Sequence, residues 1–372
     1  MNSPNITRPI RLVPVGGFLG SGKTTLLRRP AEEFETEGRR VALIANDQAS
    51  NLVDTELLRR QGLAVGEVSG GCFCCRFDQL VASIHNLAER SQPEIILAEP
   101  VGSCTDLAAT VVRPLRRLYP NEVQVAPFTV LVDPGRLAEA FNERNSARFT
   151  ESVYYILRKQ LEEADAIVIN KADLLSGNEL GRIEGLVKQQ FPGTPVISIS
   201  ARTGQGFDSW LALVGESRPA GDRSIDVDYD LYAEGEAVLG WLNARAELAS
   251  ANGSDWKVMG AHLLQNMRDA LMTCGCEVAH IKVFLETSGG CISGNLTGIA
   301  DGPWLSGEVA GQSAEASLLV NARAQIAPEA LRTTFEASLR ACTGTAYFSR
   351  IVSLDCFKPA RPVPTHRDVG VL

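Results

Sequence analysis

The chain has 372 residues and a formal net charge of -8, with 45% hydrophobic and 22% charged residues. That length exceeds one ordinary core and predicts two domains, and the acidic balance argues against a general nucleic-acid partner, because phosphate binding wants a basic surface. No apolar run is long enough for a bilayer, and the opening MNSPNITRPIRLV has no apolar signal core, which predicts a cytoplasmic protein with no membrane partner.

From Ile10 to about Leu213 short apolar runs alternate with longer amphipathic ones. Strands are predicted over Ile10–Val15, Arg40–Ala45, Glu94–Ala98, Phe128–Val132, Ala166–Ile169 and Pro195–Ile199. Helices are predicted over Thr24–Glu37, Leu80–Glu89, Leu107–Leu118, Ser152–Glu163 and Glu179–Gln190. Such alternation predicts βαβ units and a mostly parallel α/β sheet. Pro14 is expected near a strand end, and Pro30 should kink or end its helix.

A polar stretch from Gly215 to Arg223 reads as a linker. Beyond it the pattern changes. Strands are predicted over Glu236–Ala246, His280–Thr287, Ser317–Ala324 and Ala346–Asp355, with helices over Lys257–Thr273 and Pro328–Cys342. The order β-α-β-β-α-β is that of a ferredoxin-like α+β domain. The expected limits are 1–214 for the first domain, 215–228 for the linker, 229–358 for the second domain and 359–372 for an extended, proline-rich tail.

Gly17-Phe18-Leu19-Gly20-Ser21-Gly22-Lys23-Thr24 matches GxxxxGK[ST] between a predicted strand and a helical run. Glycines let backbone N–H groups converge on phosphate oxygens, and the helix N-terminus adds positive potential. Lys23 is placed to reach the β- and γ-phosphates and the Thr24 hydroxyl to ligate Mg²⁺, with Gly17, Gly20, Ser21, Gly22 and Thr25 completing the loop. Asn170-Lys171-Ala172-Asp173 follows another predicted strand. A carboxylate at Asp173 matches the paired donors of guanine, which adenine lacks, so GTP and GDP are the expected nucleotides. Lys171 would lie along the base and Asn170 would brace the loop. Ser200-Ala201 reads as a second base-contacting loop.

Two acidic positions lie between these motifs. Glu99, in Glu99-Pro100-Val101-Gly102, ends a strand, where a carboxylate organises Mg²⁺. Gly102 offers an N–H near the γ-phosphate. Asp54 sits on a loop able to approach the same ion, or alternatively caps a short helix.

Three of the nine cysteines fall in Gly70-Gly71-Cys72-Phe73-Cys74-Cys75. In a reducing compartment thiols stay reduced, so the count does not imply a disulfide framework. Three soft thiolates suit zinc or a similar metal and leave a fourth position for water, Asp47, Cys104, a further protein group or a client. A redox pair and ordinary buried cysteine are the alternatives. The pair Cys274-Gly275-Cys276 reads as structural, with Gly275 as a helix cap. His85 is a candidate ligand near the cysteines, and His262 and His280 read as packing residues.

The ordered set GGFLGSGKTTLL, the ND…D stretch, GGCFCC, EPVG and NKAD resembles the CobW-like metal-chaperone GTPases, relatives of the urease, hydrogenase and methylmalonyl-CoA mutase accessory GTPases. The resemblance runs from about Arg11 to Trp210. It implies a slow GTPase that delivers metal to a client metalloprotein, with Asp54 in the first switch, Glu99 in the second and Cys72, Cys74 and Cys75 holding zinc or another divalent metal such as cobalt. It also implies nucleotide-dependent dimerisation. Asn46-Asp47-Gln48-Ala49 departs from the Asn-Glu-Phe-Gly of many members and looks more like the urease-accessory relative. A GTP-dependent regulator of a metalloenzyme that carries no metal itself is the alternative.

Overall fold

The computed structural model describes residues 8–36, 38–48, 53–60, 62–141, 148–251, 253–311, 313–344 and 347–369; the side chains at 32, 35, 54 and 57 also lie outside that description. The chain divides into two compact units. One comprises Met1–Gln48, Leu58–Tyr232 and Arg361–Leu372, and the other Ala49–Leu57 and Ala233–Ala360. Each unit therefore takes in a short segment remote in sequence from its main body, which apolar patterning alone does not signal.

The elements of the first part of the chain run β1 (Ile10–Gly17), α1 (Lys23–Thr36), β2 (Val41–Asn46), α2 (Val53–Arg60), β3 (Ala64–Val68), α3 (Phe77–Ser91) and β4 (Ile95–Glu99). A π-helical stretch (Ala108–Val112) then leads into α4 (Arg113–Leu118). Next come β5 (Val123–Val125), β6 (Thr129–Val132), α5 (Pro134–Ala140), α6 (Glu151–Glu162), β7 (Ala166–Ile169), α7 (Gly177–Gln190), β8 (Val196–Ser198), α8 (Phe207–Gly215) and α9 (Tyr229–Ala237). The sheet order is β3-β2-β4-β1-β6-β7-β8, with β5 also on β1. Every pairing is parallel. β2, β4 and β7 are buried at every position, as strands covered on both faces must be. On one face Leu26, Leu27, Leu43, Leu97, Val168 and Trp210 form a common core.

One proline expectation needs correction. Pro14 lies inside the central strand β1, opposite Ala98. The strand tolerates it because β1 changes partner there: it pairs with β5 up to Leu12 and with β6 from Val15. The missing N–H falls where that side has no ladder to complete. Helix α1 runs through Pro30 to Thr36, carried by Leu26, Leu27 and Ala31, all fully buried.

The second unit holds β9 (Gly240–Ser250), α10 (Trp256–Thr273), β10 (Val278–Thr287), β11 (Gly290–Leu296), β12 (Trp304–Val309), β13 (Glu315–Ala324), α11 (Pro328–Thr343) and β14 (Tyr347–Phe357). Its sheet order is β12-β11-β10-β13-β9-β14, and all pairs are antiparallel. The sub-order β14-β9-β13-β10, with helices after β9 and β13, is the split βαβ arrangement expected. β11 and β12 extend it; their Gly- and Ser-containing sequences GCISGNL and WLSGEV hid them from a propensity reading. The strand predicted from Glu236 starts instead at Gly240, because α9 continues to Ala237. Leu263, Leu264, Met267, Leu331 and Phe335 cover one sheet face. Val53 packs with Phe284 and Leu319, and its N–H donates to Asn321 Oδ1 at 2.9 Å.

Candidate nucleotide and thiol sites

The phosphate loop leaves β1 at Gly17 and enters α1 at Lys23. Gly17, Gly20 and Gly22 all have positive φ, and a Cβ on Gly17 would sit 2.2 Å from Leu131 O, so only glycine fits. Lys23 Nζ donates to Gly17 O at 2.7 Å, and Ser21 is buried while Thr25 is exposed. Thr24 Oγ1 donates to Glu99 Oε1 at 3.0 Å, which joins the start of α1 to the end of β4. Gly102 packs so closely on Leu19 that a Cβ would lie 2.8 Å from its side chain. The phosphate loop and the loop after β4 are thus in contact.

Asn170 follows β7 and braces two other loops, where a brace for its own loop was expected. Its amide donates to Ser21 O at 2.7 Å and its oxygen accepts from Ala201 N at 2.9 Å. Lys171 adopts a left-handed backbone and its Nζ lies 2.8 Å from Asp133 Oδ2. Asp133 also caps α5, accepting from Gly135 and Arg136 N–H. Burial raises the Asp133 pKa, but Lys171 and these bonds win and hold the carboxyl below its ordinary value. Asp173 is held low in the same way against burial, by the Ser200 hydroxyl and Arg202. The residues predicted to read guanine, Lys171, Asp173, Ser200 and Ala201, therefore share one neighbourhood around Asn170. The Asp54 side chain lies outside the described residues.

The thiol loop follows β3. Gly70 and Gly71 have positive φ, and Cys75 N–H and Arg76 N–H both return to Cys72 O, at 3.0 and 2.9 Å. Phe73, between the cysteines, is 2% exposed and lies with Leu80, Ala98 and Leu107 on the sheet. The turn brings all three thiols together, with Sγ–Sγ separations of 2.8 Å for Cys72–Cys74, 3.2 Å for Cys72–Cys75 and 3.7 Å for Cys74–Cys75. Thiolates held about 2.3 Å from a tetrahedral zinc stand about 3.8 Å apart, so the set fits such an ion after Cys72 opens by about 1 Å. All nine cysteines are free thiols.

Cys104, on the loop after β4, shares side-chain hydrogen bonds with Cys72 and Cys74. These bonds, Cys104's first and those of Cys74 and Cys75 after it, hold the Cys72 thiol well below its ordinary value. Bonds to Cys104, Cys72 and Cys75, together with burial, push Cys74 well above it, and the bond to Cys72 with burial pushes Cys75 up to about 11 against an opposing bond to Cys74. The cluster therefore shares its protons around one favoured thiolate. His85 is not part of it: its Nε2 pairs with Glu122 Oε2 at 2.7 Å. His280 bonds Asn295 Oδ1, as a packing residue would.

Three features escaped sequence reasoning. Asn46, at the end of β2, donates to Val68 O and Gly71 O and accepts from Phe73 N, all within 2.9 Å, so it carries the thiol loop. Its place in the quoted ND stretch was the available signal. Gln160 donates to Gly102 O at 3.0 Å and Cys104 O at 2.8 Å, with no sequence signal. The tail lies over the thiol loop: Val363 N–H donates to Cys75 Sγ at 3.3 Å and Thr365 N–H to Cys74 O at 2.8 Å. His366 sits edge-on to Phe77, and Arg367 Nε bonds Asp106 Oδ2 at 2.6 Å.

The profile of the CobW/HypB/UreG nucleotide-binding domain matches residues 11–198, half of the chain. The chain belongs to this family. The zinc chaperone CobW of Pseudomonas aeruginosa is 27% identical over 218 residues, 50% of this chain and 56% of that protein. Urease accessory protein UreG 2 of a Bradyrhizobium species is 30% identical over 214 residues, 54% of this chain and 88% of that protein. The chain spans about half the length of the first curated relatives it matches. Among solved structures, Zn(II)-bound YjiA GTPase of Escherichia coli aligns over 91% of this chain and 99% of that one, at 15% identity and a TM-score of 0.38. Among the described residues no helix is long and apolar enough to cross a membrane.

Proposed function

We propose that this CobW/HypB/UreG protein binds and hydrolyses GTP, holds a divalent metal, zinc first, through Cys72, Cys74 and Cys75, and couples hydrolysis to delivery of that metal to a client metalloprotein. The observation that carries this reading is the clustering of three thiols within 4.8 Å of one another beside the loop whose Glu99 touches Thr24. Mg²⁺ would be held by Thr24, with Glu99 and Asp54 as the switch carboxylates; bound there, it would neutralise charge on the transferring phosphate. Lys23 reaches the phosphates from the same loop, and Asp173 selects guanine. Client identity and nucleotide-dependent pairing of two copies belong to the same proposal.

Hydrolysis of GTP and ATP is measured side by side with wild type and Lys23→Ala. GTP turnover that is lost in the variant is expected; equal use of ATP would overturn the guanine assignment. Zinc titration of wild type and a triple Cys72, Cys74 and Cys75→Ser variant, each with GDP and with a non-hydrolysable GTP analogue, tests the metal. Cysteine-independent behaviour in both states would leave a GTP-dependent regulator that carries no metal.

A further inference from the structure

Three thiolates leave a zinc ion one position short of a closed tetrahedron. The loop after β4 brings a fourth thiol to the cluster. Cys104 is 1% exposed and its thiol hydrogen-bonds Cys72 and Cys74; the set whose sulfurs all lie within 4.8 Å of one another is Cys72, Cys74 and Cys75, so Cys104 has to close on that set to complete a tetrahedron. Two supports fix it there: Gln160 Nε2 donates to its carbonyl, and its N–H returns to Val101 O at 3.0 Å. The topology explains the meeting. Parallel strands β3 and β4 flank β2, so the loops after their carboxyl ends emerge at one edge of the same sheet.

Resting on the reading that the thiol loop binds metal, we propose that Cys104 is the fourth ligand of a Cys₄ site for a soft, tetrahedral cation of the zinc type. The four sulfurs come from two loops, three from the loop after β3 and one from the loop that begins at Glu99. On binding, each thiol that still carries a proton releases it to solvent, and no electron transfer is involved. The Val363 N–H on Cys75 Sγ is the kind of outer bond that steadies a ligating thiolate. The two-loop origin has a functional edge. Cys104 lies five residues beyond the carboxylate that touches Thr24, so a shift of that loop with the nucleotide moves one ligand of four. A site with three ligands on a single turn would not feel it.

The test uses the full chain loaded with zinc alone. X-ray absorption at the zinc edge of the wild type is expected to show four sulfurs at about 2.3 Å. Three sulfurs and one oxygen or nitrogen would overturn the Cys104 assignment while leaving the three-thiol reading standing. No bound zinc at all would overturn both. In Cys104→Ser, shown to be folded by its thermal transition, the absorption spectrum should change to three sulfurs, and zinc affinity should fall at least about 100-fold, more than loss of an outer-shell partner costs. An unchanged sulfur count in that variant overturns the proposal.

Discussion

Asn170 and Ser21 are joined by a 2.7 Å hydrogen bond from side-chain amide to backbone carbonyl, and the other side of the same amide holds Ala201. One buried side chain thus spaces the phosphate loop from the loop expected to read the base. Asn170→Ala leaves a buried carbonyl and a buried N–H without partners, which costs about 2 kcal/mol or more. Guanine nucleotide affinity should fall about 30-fold, read by titration with a fluorescent GDP analogue. Wild-type affinity in that variant would contradict the bracing role.

Thr24 bonds Glu99 through its hydroxyl. Thr24→Ser keeps that hydroxyl and should retain hydrolysis. Thr24→Ala should lower phosphate release at least about 100-fold, the scale for losing one group that stabilises transition-state charge. Equal rates for the two variants would remove Thr24 from the hydrolytic machinery.

Much of this was legible in the sequence because glycines and short motifs report local geometry. Gly17, Gly20 and Gly22 need positive φ, and NKAD needs a strand before it; both requirements are visible in a single window. β2, β4 and β7 announced themselves as continuous apolar runs. What stayed hidden depends on residues far apart. Gln160 meets Cys104 across 56 positions, and Val363 meets Cys75 across 288. Val53 lies with the second unit because of Phe284, Leu319 and Asn321, none of which marks its own sequence neighbourhood. Pro14 misled for a related reason, since only the switch from β5 to β6 explains its place.

Glu163 accepts from Ala108 N–H at 2.8 Å and Thr105 Oγ1 at 3.2 Å, in a fully buried setting near Asp106. Burial first, and the Asp106 charge with it, holds its pKa well above the ordinary 4.5 despite those bonds. Above pH 4.5 the folded protein therefore binds this proton more tightly than the unfolded chain does. Its contribution to stability is greatest at low pH and falls as pH rises through the folded pKa. Thermal unfolding from pH 5 to pH 8 should show that fall in the wild type. Glu163→Gln should flatten it. A parallel pair of profiles would count against a raised Glu163.

Arg367 ties the tail to Asp106, whose carboxylate also accepts from Tyr229 OH at 2.7 Å. Arg367→Ala should cost about 1–3 kcal/mol by leaving a buried carboxylate oxygen short of a donor. Removing residues 361–372 should also raise the rate at which Cys75 reacts with iodoacetamide, followed by mass spectrometry, because the Val363 and Thr365 contacts over the loop are lost. An unchanged labelling rate would show that the tail does not shield the thiol.

The tail that covers Cys75 is also made long after the thiol itself. The covering residue lies 288 positions after the thiol, and at about 5–20 residues per second synthesis needs about 15–60 s to reach it. Throughout that interval the nascent nucleotide-binding unit carries Cys75 without the Val363 cover. A ribosome-bound chain is therefore the form in which the Cys75 thiol is most open to an electrophile or an oxidant.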